Sequence, residues 1–168
     1  MQLNHYSTNF NNKTFPITLI CENVTNAPNI GSLFRTADAF GIEELIFCGD
    51  NTTLGRKMMK TSRATEKSVK YKHENEALTL VSDLKNNGYF IIALEITSKS
   101  EALIDFTFPK HKPIALIIGD ENFGVSEAIL NMSDAVIHID MFGQNSSMNV
   151  VQATSVTLYE ITKQLKQS

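Results

Sequence analysis

Six short runs rich in β-branched and aromatic residues punctuate the chain, and between them the apolar spacing lengthens from period two toward the helical period. The runs are ITLICENV (17–24), ELIFCGD (44–50), SVKYKH (68–73), YFIIALEI (89–96), IALIIGD (114–120) and AVIHIDM (135–141). Alternation on this scale predicts βα units around a largely parallel sheet covered on both faces, an α/β fold. No internal repeat and no linker divides the pattern, so residues 16–168 read as a single domain. Residues 1–15 are polar, rich in Asn and without apolar period, and read as a flexible N-terminal arm.

The intervening helices differ in character. In the first, Ile30, Leu33, Phe34, Ala37 and Phe40 fall at core spacing, Asn29 is placed to cap and Gly41 to terminate, and Ser32, Arg35 and Ala39 face the other way. Residues 76–87, ended by Gly88, and 125–133 supply two crossover helices. A long final helix runs from Ser147, a capping residue type, to about residue 167. Its apolar residues, Met148, Val150, Val151, Ala153, Val156, Leu158, Tyr159 and Ile161, lie nearly all the way round. A helix apolar on most sides is buried on most sides, which in so small a chain predicts a homodimer.

Composition narrows the function. Hydrophobic residues make up 42% and charged residues 20%, ordinary for a soluble protein. There is neither a run of about 18 apolar residues nor an N-terminal apolar segment of signal-peptide type, so no membrane association and a cytoplasmic location are expected. Cys21 and Cys48 sit in apolar runs without Cys or His at ligand spacing, which predicts buried thiols and no metal. The formal charge of −3 argues against a protein that coats nucleic acid, but it is unevenly spread. Residues 56–72 carry seven basic side chains and one acidic, or +6, leaving −9 elsewhere. Such a patch is a solvated surface or a phosphate contact.

The turn after the first strand run reads TNAPNIG and lacks the G-x-G-x-x-G of a dinucleotide fold. IIGDENFGVS (117–126) has the glycine spacing of a phosphate loop, yet Val125 stands where the lysine is needed, and Asp120 and Glu121 would face a polyanion. What remains is a glycine-bounded turn at the carboxyl end of a buried strand. It is either structural or a place where backbone groups approach a ligand such as the edge of an adenine. DMFGQNSSMNVVQA (140–153) then brings many neutral hydrogen-bonding groups beside an apolar helix, more than capping alone requires.

Three segments, NAPNIGSLFRTADAFGIEELIFCG, ALIIGDENFGVSEAIL and IDMFGQNSSMNVVQATSVTLYE, closely resemble in order and spacing the three motifs of the SpoU/TrmH family of RNA 2'-O-methyltransferases, of the SPOUT class. With the strands between them they cover nearly everything from Pro16 to Glu160. The resemblance implies a single-domain parallel-sheet fold with a C-terminal deep trefoil knot, a homodimer, and S-adenosyl-L-methionine as cofactor. It places the cofactor against Leu94 and Glu95, against Ile118, Gly119 and Gly124, and against Ile139, Met141 and Met148, largely through backbone groups. It assigns the catalytic positions to Asn29, Arg35, Glu121, Ser147 and Asn149.

Those residue types suit methyl transfer to a ribose 2'-hydroxyl. Alignment counts most in a displacement that neutralises a sulfonium, and no metal or covalent intermediate is needed. A guanidinium keeps its proton and is a weak base, so Arg35 is expected to clamp the neighbouring phosphate while Glu121, Ser147 and Asn149 hold it and the ribose. His5, His73, His111 and His138 lie outside the motif positions, and none is expected to be catalytic. The resemblance also sets the basic segment beside the active site, with Arg56, Lys60 and Arg63 as leading RNA contacts. Asp140 stands where the family usually has proline, and SRATEK where it has a small Gly-Ala-like pair. The expected substrate is tRNA, a guanosine of the D-loop favoured. The alternatives are ribosomal RNA, or an inactive RNA-binding or assembly protein on the same fold.

Overall fold

The computed structural model describes residues 11–49 and 55–167. Seven strands form one sheet: β1 (Phe15–Glu22), β2 (Ile42–Cys48), β3 (Tyr71–Glu74), β4 (Phe90–Leu94), β5 (Glu101–Ala102), β6 (Ile114–Ile118) and β7 (Ala135–His138). Their order is β3-β2-β1-β6-β4-β7-β5, and every neighbouring pair is parallel. Each of the six expected runs overlaps a strand, with β1 and β2 starting two residues earlier than their runs and β3 ending one residue later. The two-residue β5 was not expected, because so short a segment carries no period. β1 begins at Phe15, which is buried, so the ordered chain reaches into the segment read as an arm. Residues 11–14 are exposed and outside regular structure, and the rest of the arm, 1–10, lies outside the described residues.

Among the described residues five α-helices, α1 (Ala27–Phe40), α2 (Arg56–Ser62), α3 (Ala77–Asn86), α4 (Glu127–Met132) and α5 (Val150–Lys166), and a short 3-10 helix at Thr65–Lys67 accompany the sheet. Alternation along the strands sorts their side chains into two cores. Leu19, Leu45 and Leu116 pack with Leu33 and Phe34 of α1 and Leu158 and Ile161 of α5. Ile20, Ile46 and Ile117 face the opposite side, with Val81 of α3 and Ile129 of α4. Each fully buried Leu, Ile or Phe contributes about 1.5–3 kcal/mol, so a sheet apolar on both faces is stable only when helices cover both.

Two helix starts differ from expectation. α1 is capped by Asn26, whose Oδ1 accepts from the Asn29 amide at 3.2 Å, so Asn29 lies inside the helix. Pro28 held the missed signal, since proline is tolerated in the first helical turn and marks a cap just before it. α5 is capped by Asn149, whose Oδ1 accepts from the Val151 amide at 2.9 Å, rather than by Ser147. The first correction frees the Asn29 side chain from capping, and the second frees Ser147 while committing only the oxygen of Asn149 to the cap.

α2 was not anticipated, because RKMMKTS has only the buried Met58 as an anchor in its middle. It is stabilised by close approach to α1 at Gly31, where a Cβ would stand 2.5 Å from the Met58 carbonyl and 2.7 Å from the Thr61 Cβ. A glycine inside a helix costs about 1 kcal/mol relative to alanine, and here it lets a second helix sit on the first. α5 joins α1 through Thr36 and Ser155, whose hydroxyls lie 3.2 Å apart. Within one chain, Val156 (45% exposed) and Tyr159 (61%) remain open on α5.

Candidate active site

In the sheet order, β6, β4 and β7 are neighbours, and the register aligns Ala93 with Ile117 and Leu94 with Ile137. Their carboxyl ends therefore stop at one level, and the three loops that leave them meet there. Open parallel sheets place ligands at that edge. The loops enclose a cavity of about 500 Å³.

All eight residues expected at the cofactor line this cavity: Leu94 and Glu95 after β4, Ile118, Gly119 and Gly124 around β6, and Ile139, Met141 and Met148 after β7. Glu121, Ser147 and Asn149 line it as well. His138, left outside the site in the sequence reading, is also part of the wall, with Nε2 3.5 Å from the Asp140 carboxylate. No periodicity could have placed it there, because an inward-facing histidine at a strand end is identical in sequence to a core one.

The loop from β6 to α4 is tightly determined. The Asp120 carboxylate accepts from the amides of Asn122 at 2.8 Å and Phe123 at 3.2 Å, and the Gly124 amide donates to the Asp120 carbonyl at 2.8 Å. A Cβ on Gly119 would collide with the backbone of Gly124, so the loop closes on itself only because that side chain is missing. Asp120, read from sequence as an obstacle to a phosphate, is the residue that shapes the turn.

Glu121 then projects from a fixed loop toward two asparagines. Its Oε1 accepts from Asn29 Nδ2 at 2.9 Å and from Asn149 Nδ2 at 2.8 Å. The Asn149 amide nitrogen also lies 3.2 Å from Asn29 Oδ1. One residue from each of the three motif segments thus meets at a single carboxylate oxygen. Asn149 serves twice, its oxygen capping α5 and its nitrogen held by Glu121.

Arg35 stands apart from this cluster. It is exposed on α1, does not line the cavity, and has no hydrogen-bond or ion-pair partner among the described residues. Glu121, expected to hold the arginine, instead holds Asn29 and Asn149. Ser147 is exposed at the cavity rim.

The basic segment divides in two. Lys70 pairs with Glu44 at 3.1 Å and Lys72 with Glu74 at 2.9 Å, both at the sheet edge. Arg56 and Lys60 on α2 and Arg63 just beyond it are exposed. Arg63 and Ala64 both take left-handed backbone angles (φ 51° and 69°), and Thr65 Oγ1 donates to the Ser62 carbonyl at 2.7 Å to close the turn. The two cysteines are buried, and burial, followed by Glu74 and Glu22, pushes the Cys48 thiol up to about 12. Among the described residues no group of three or more His, Cys, Asp or Glu could hold a metal ion. No helix there is long and apolar enough to cross a membrane.

Fold and site together define an open parallel α/β protein whose ligand cavity is built by three adjacent strand-end loops, with a carboxylate–diamide cluster at its mouth. The sequence profile of the SpoU rRNA methylase family matches residues 16–159, and the chain belongs to that family. It is 32% identical over 154 residues to the tRNA (guanosine(18)-2'-O)-methyltransferase of Aquifex aeolicus, covering 88% of this chain and 69% of that one. It is also 32% identical over 170 residues to the 23S rRNA (guanosine-2'-O-)-methyltransferase RlmB of Haemophilus ducreyi, covering 97% and 67%. Among solved structures, the A. aeolicus TrmH/SpoU tRNA modifying enzyme superposes with a TM-score of 0.83 at 26% identity, over 93% of this chain and 78% of that one. The SpoU methyltransferase AviRb of Streptomyces viridochromogenes, in complex with the cofactor AdoMet, superposes with a TM-score of 0.76 at 25% identity, over 93% and 59%.

Proposed function

We propose that this protein transfers the methyl group of S-adenosylmethionine to a ribose 2'-hydroxyl of RNA, with tRNA the favoured substrate and a guanosine of the D-loop the favoured target. The observation that carries the reading is the single cavity at which all eight expected cofactor positions and the Glu121 cluster converge. Its volume, about 500 Å³, suits a cofactor-sized ligand. The loop glycines, having no side chain, leave backbone groups accessible, and Leu94, Ile118, Ile139 and Met148 offer apolar surface to a flat ring. The residues present therefore fit S-adenosylmethionine.

When bound, the cofactor supplies a methyl group on a positively charged sulfur. Held by the loops that carry Leu94, Gly119, Gly124 and Met141, it would give that methyl to the 2'-oxygen, with the neutral thioether S-adenosylhomocysteine as leaving group and the hydroxyl proton passing to solvent. The chain's own work is alignment, worth up to about 7–11 kcal/mol in well-oriented reactions. Arg35, exposed and without a described partner, is free to clamp the adjoining phosphate, and a guanidinium, which keeps its charge, is a poor proton acceptor. Glu121 fixes the mouth of the cavity by holding Asn29 and Asn149, and Ser147 at the rim faces the ribose side. Arg56, Lys60 and Arg63 bind flanking phosphates.

The same reading includes a homodimer formed through α5, supported by the exposed Val156 and Tyr159, and a cytoplasmic location. It also includes the C-terminal trefoil knot. Ribosomal RNA is the second substrate reading, favoured by likeness to the H. ducreyi enzyme. Incubation with methyl-labelled cofactor and total tRNA or ribosomal RNA tests the proposal. Label that makes its 3' phosphodiester resistant to alkali is expected; label on a base, or none on either RNA, would overturn it.

A further inference from the structure

Glu95 does more than line the cavity. Its Oε1 accepts from the Ile96 amide at 3.0 Å, and its Oε2 accepts from the Val125 amide at 3.0 Å. Ile96 belongs to the loop after β4, and Val125 ends the loop after β6 that carries Glu121. One carboxylate therefore ties together two of the three loops that form the cavity. Gly124 lies directly on Oε2, at φ 68°, where any Cβ would collide with that oxygen. The left-handed turn and the missing side chain bring the backbone onto the carboxylate.

A second carboxylate shows that the loop is held from both sides. Glu22, at the end of β1 and only 7% exposed, accepts from the Ser126 amide at 2.8 Å through Oε2. β1 and β4 are the two neighbours of β6. Each flanking strand thus sends an acid over the end of β6 to take one of two consecutive amides, Val125 and Ser126, where α4 begins. Glu22 faces the other side, in a smaller cavity away from the cofactor site, and only Glu95 reaches the wall of the larger one.

We infer that Glu95 is a positioning residue: its side chain couples cofactor binding to assembly of the Glu121 cluster by fixing the 119–125 loop, rather than by touching the methyl donor. The two carboxylate oxygens are engaged with backbone amides, so ligand contacts come from the loops the carboxylate holds. Hydrogen bonds to a charged acceptor are stronger than neutral ones, which suits one side chain to ordering two loops. The loop carries Gly119 and Gly124 against the cavity and Glu121 against Asn29 and Asn149. Disordering it costs both functions together.

This rests on the cofactor assignment above, so the experiment separates the two. Amide hydrogen exchange and calorimetric titration with S-adenosylmethionine are measured on the wild type, Glu95→Ala, Glu95→Gln and Glu121→Gln. If the wild-type chain binds no cofactor, the functional reading fails, while the exchange data still report on the loop tie. With cofactor bound by the wild type, Glu95→Ala is expected to speed exchange at residues 119–125 and at Ile96. It should also weaken cofactor affinity about tenfold or more, the loss of at least one charged hydrogen bond. Glu95→Gln, which keeps the volume and one acceptor, shifts both in the same direction by less, and it decides the matter if the alanine variant does not fold. Glu121→Gln, at a residue that itself lines the cavity, is expected to leave exchange at Ile96 at the wild-type rate, because the Glu95 tie does not pass through it. Two results overturn the inference: wild-type exchange and affinity in the glutamine variant and any folded alanine variant, or weakened affinity with unaltered exchange, which would mean that Glu95 contacts the methyl donor directly.

Discussion

Asn149 donates from Nδ2 to Glu121 Oε1 at 2.8 Å while its own Oδ1 caps α5, so the start of the last helix and the loop after β6 are fixed by one amide side chain. Replacing Asn149 by Asp should keep the cap and reverse the other contact, since a carboxylate would face Glu121. Turnover is expected to fall at least about tenfold, with a loss of helix stability much smaller than the roughly 1 kcal/mol typical of removing a cap. Asn149→Ala should lose both. Thermal melts and single-turnover methylation on the two variants separate the roles; equal melting losses in both would remove the capping argument.

Arg35 is expected to be indispensable to turnover and dispensable to cofactor binding. Arg35→Ala should lower single-turnover methylation by at least about a hundredfold, the scale of one strong electrostatic contact in a transition state. Its S-adenosylmethionine titration should match wild type, because the residue is exposed on α1 and does not line the cavity. Arg35→Lys should recover little, since a point charge does not reproduce a planar bidentate fork. A parallel loss of cofactor affinity would assign Arg35 to folding instead.

Arg56, Lys60 and Arg63 should carry salt-dependent RNA affinity, whereas Lys70 should not, because Glu44 already neutralises it at 3.1 Å. Each true phosphate contact removed flattens the plot of log affinity against log salt by roughly 0.7–0.9. Alanine replacement of the first three is predicted to weaken binding and flatten the slope, with Lys70→Ala close to wild type. A salt titration in which all four behave alike would mean that the patch acts only through its net charge.

Asp134 gives the fold a defined acid sensitivity. Burial raises its carboxyl, but the Ile91 amide at 2.8 Å and Lys85 at 2.8 Å outweigh that and hold it below the ordinary carboxylate value. A depressed folded-state pKa adds stability that is present above the unfolded value and lost as pH falls through the folded one. Asp134→Asn is therefore expected to cost about 1–2 kcal/mol at neutral pH, reduced by the partial exposure of the pair. The difference from wild type should shrink steadily on acidification below the ordinary Asp range. Denaturant melts across that range check the sign; a gap that widens toward low pH would contradict it.

Most strand runs were legible because a strand buried on both faces is continuously apolar, as in ALII and LIFC, and is bounded by turn residues, whereas SVKYKH, whose strand is only partly buried, showed only alternation. Phe15 and β5 escaped because a strand edge and a two-residue strand have no period of their own. α2 escaped because its stability comes from the space above Gly31, which belongs to a different helix. In the site, residue types were legible while partners were not. Glu121, Ser147 and Asn149 were expected to hold Arg35 and the ribose; the structure joins Glu121 to Asn149 and to Asn29, the latter 92 positions away in the chain.

By itself the sequence determined the α/β alternation and the apolar strands, while the resemblance of three segments to a methyltransferase family implied the loops that would line a pocket. These depend on local spacing and residue type, which hydrophobic burial and backbone geometry translate directly into elements. Only the tertiary structure decided that Asn26 and Asn149 cap the helices, that Asn29 and Asn149 share one oxygen of Glu121, and that Glu22 and Glu95 hold consecutive amides from opposite sides. Each is a contact a few ångströms long between groups separated along the chain. Its formation depends on which strand lies beside which, and that order is set by the packing of the whole sheet.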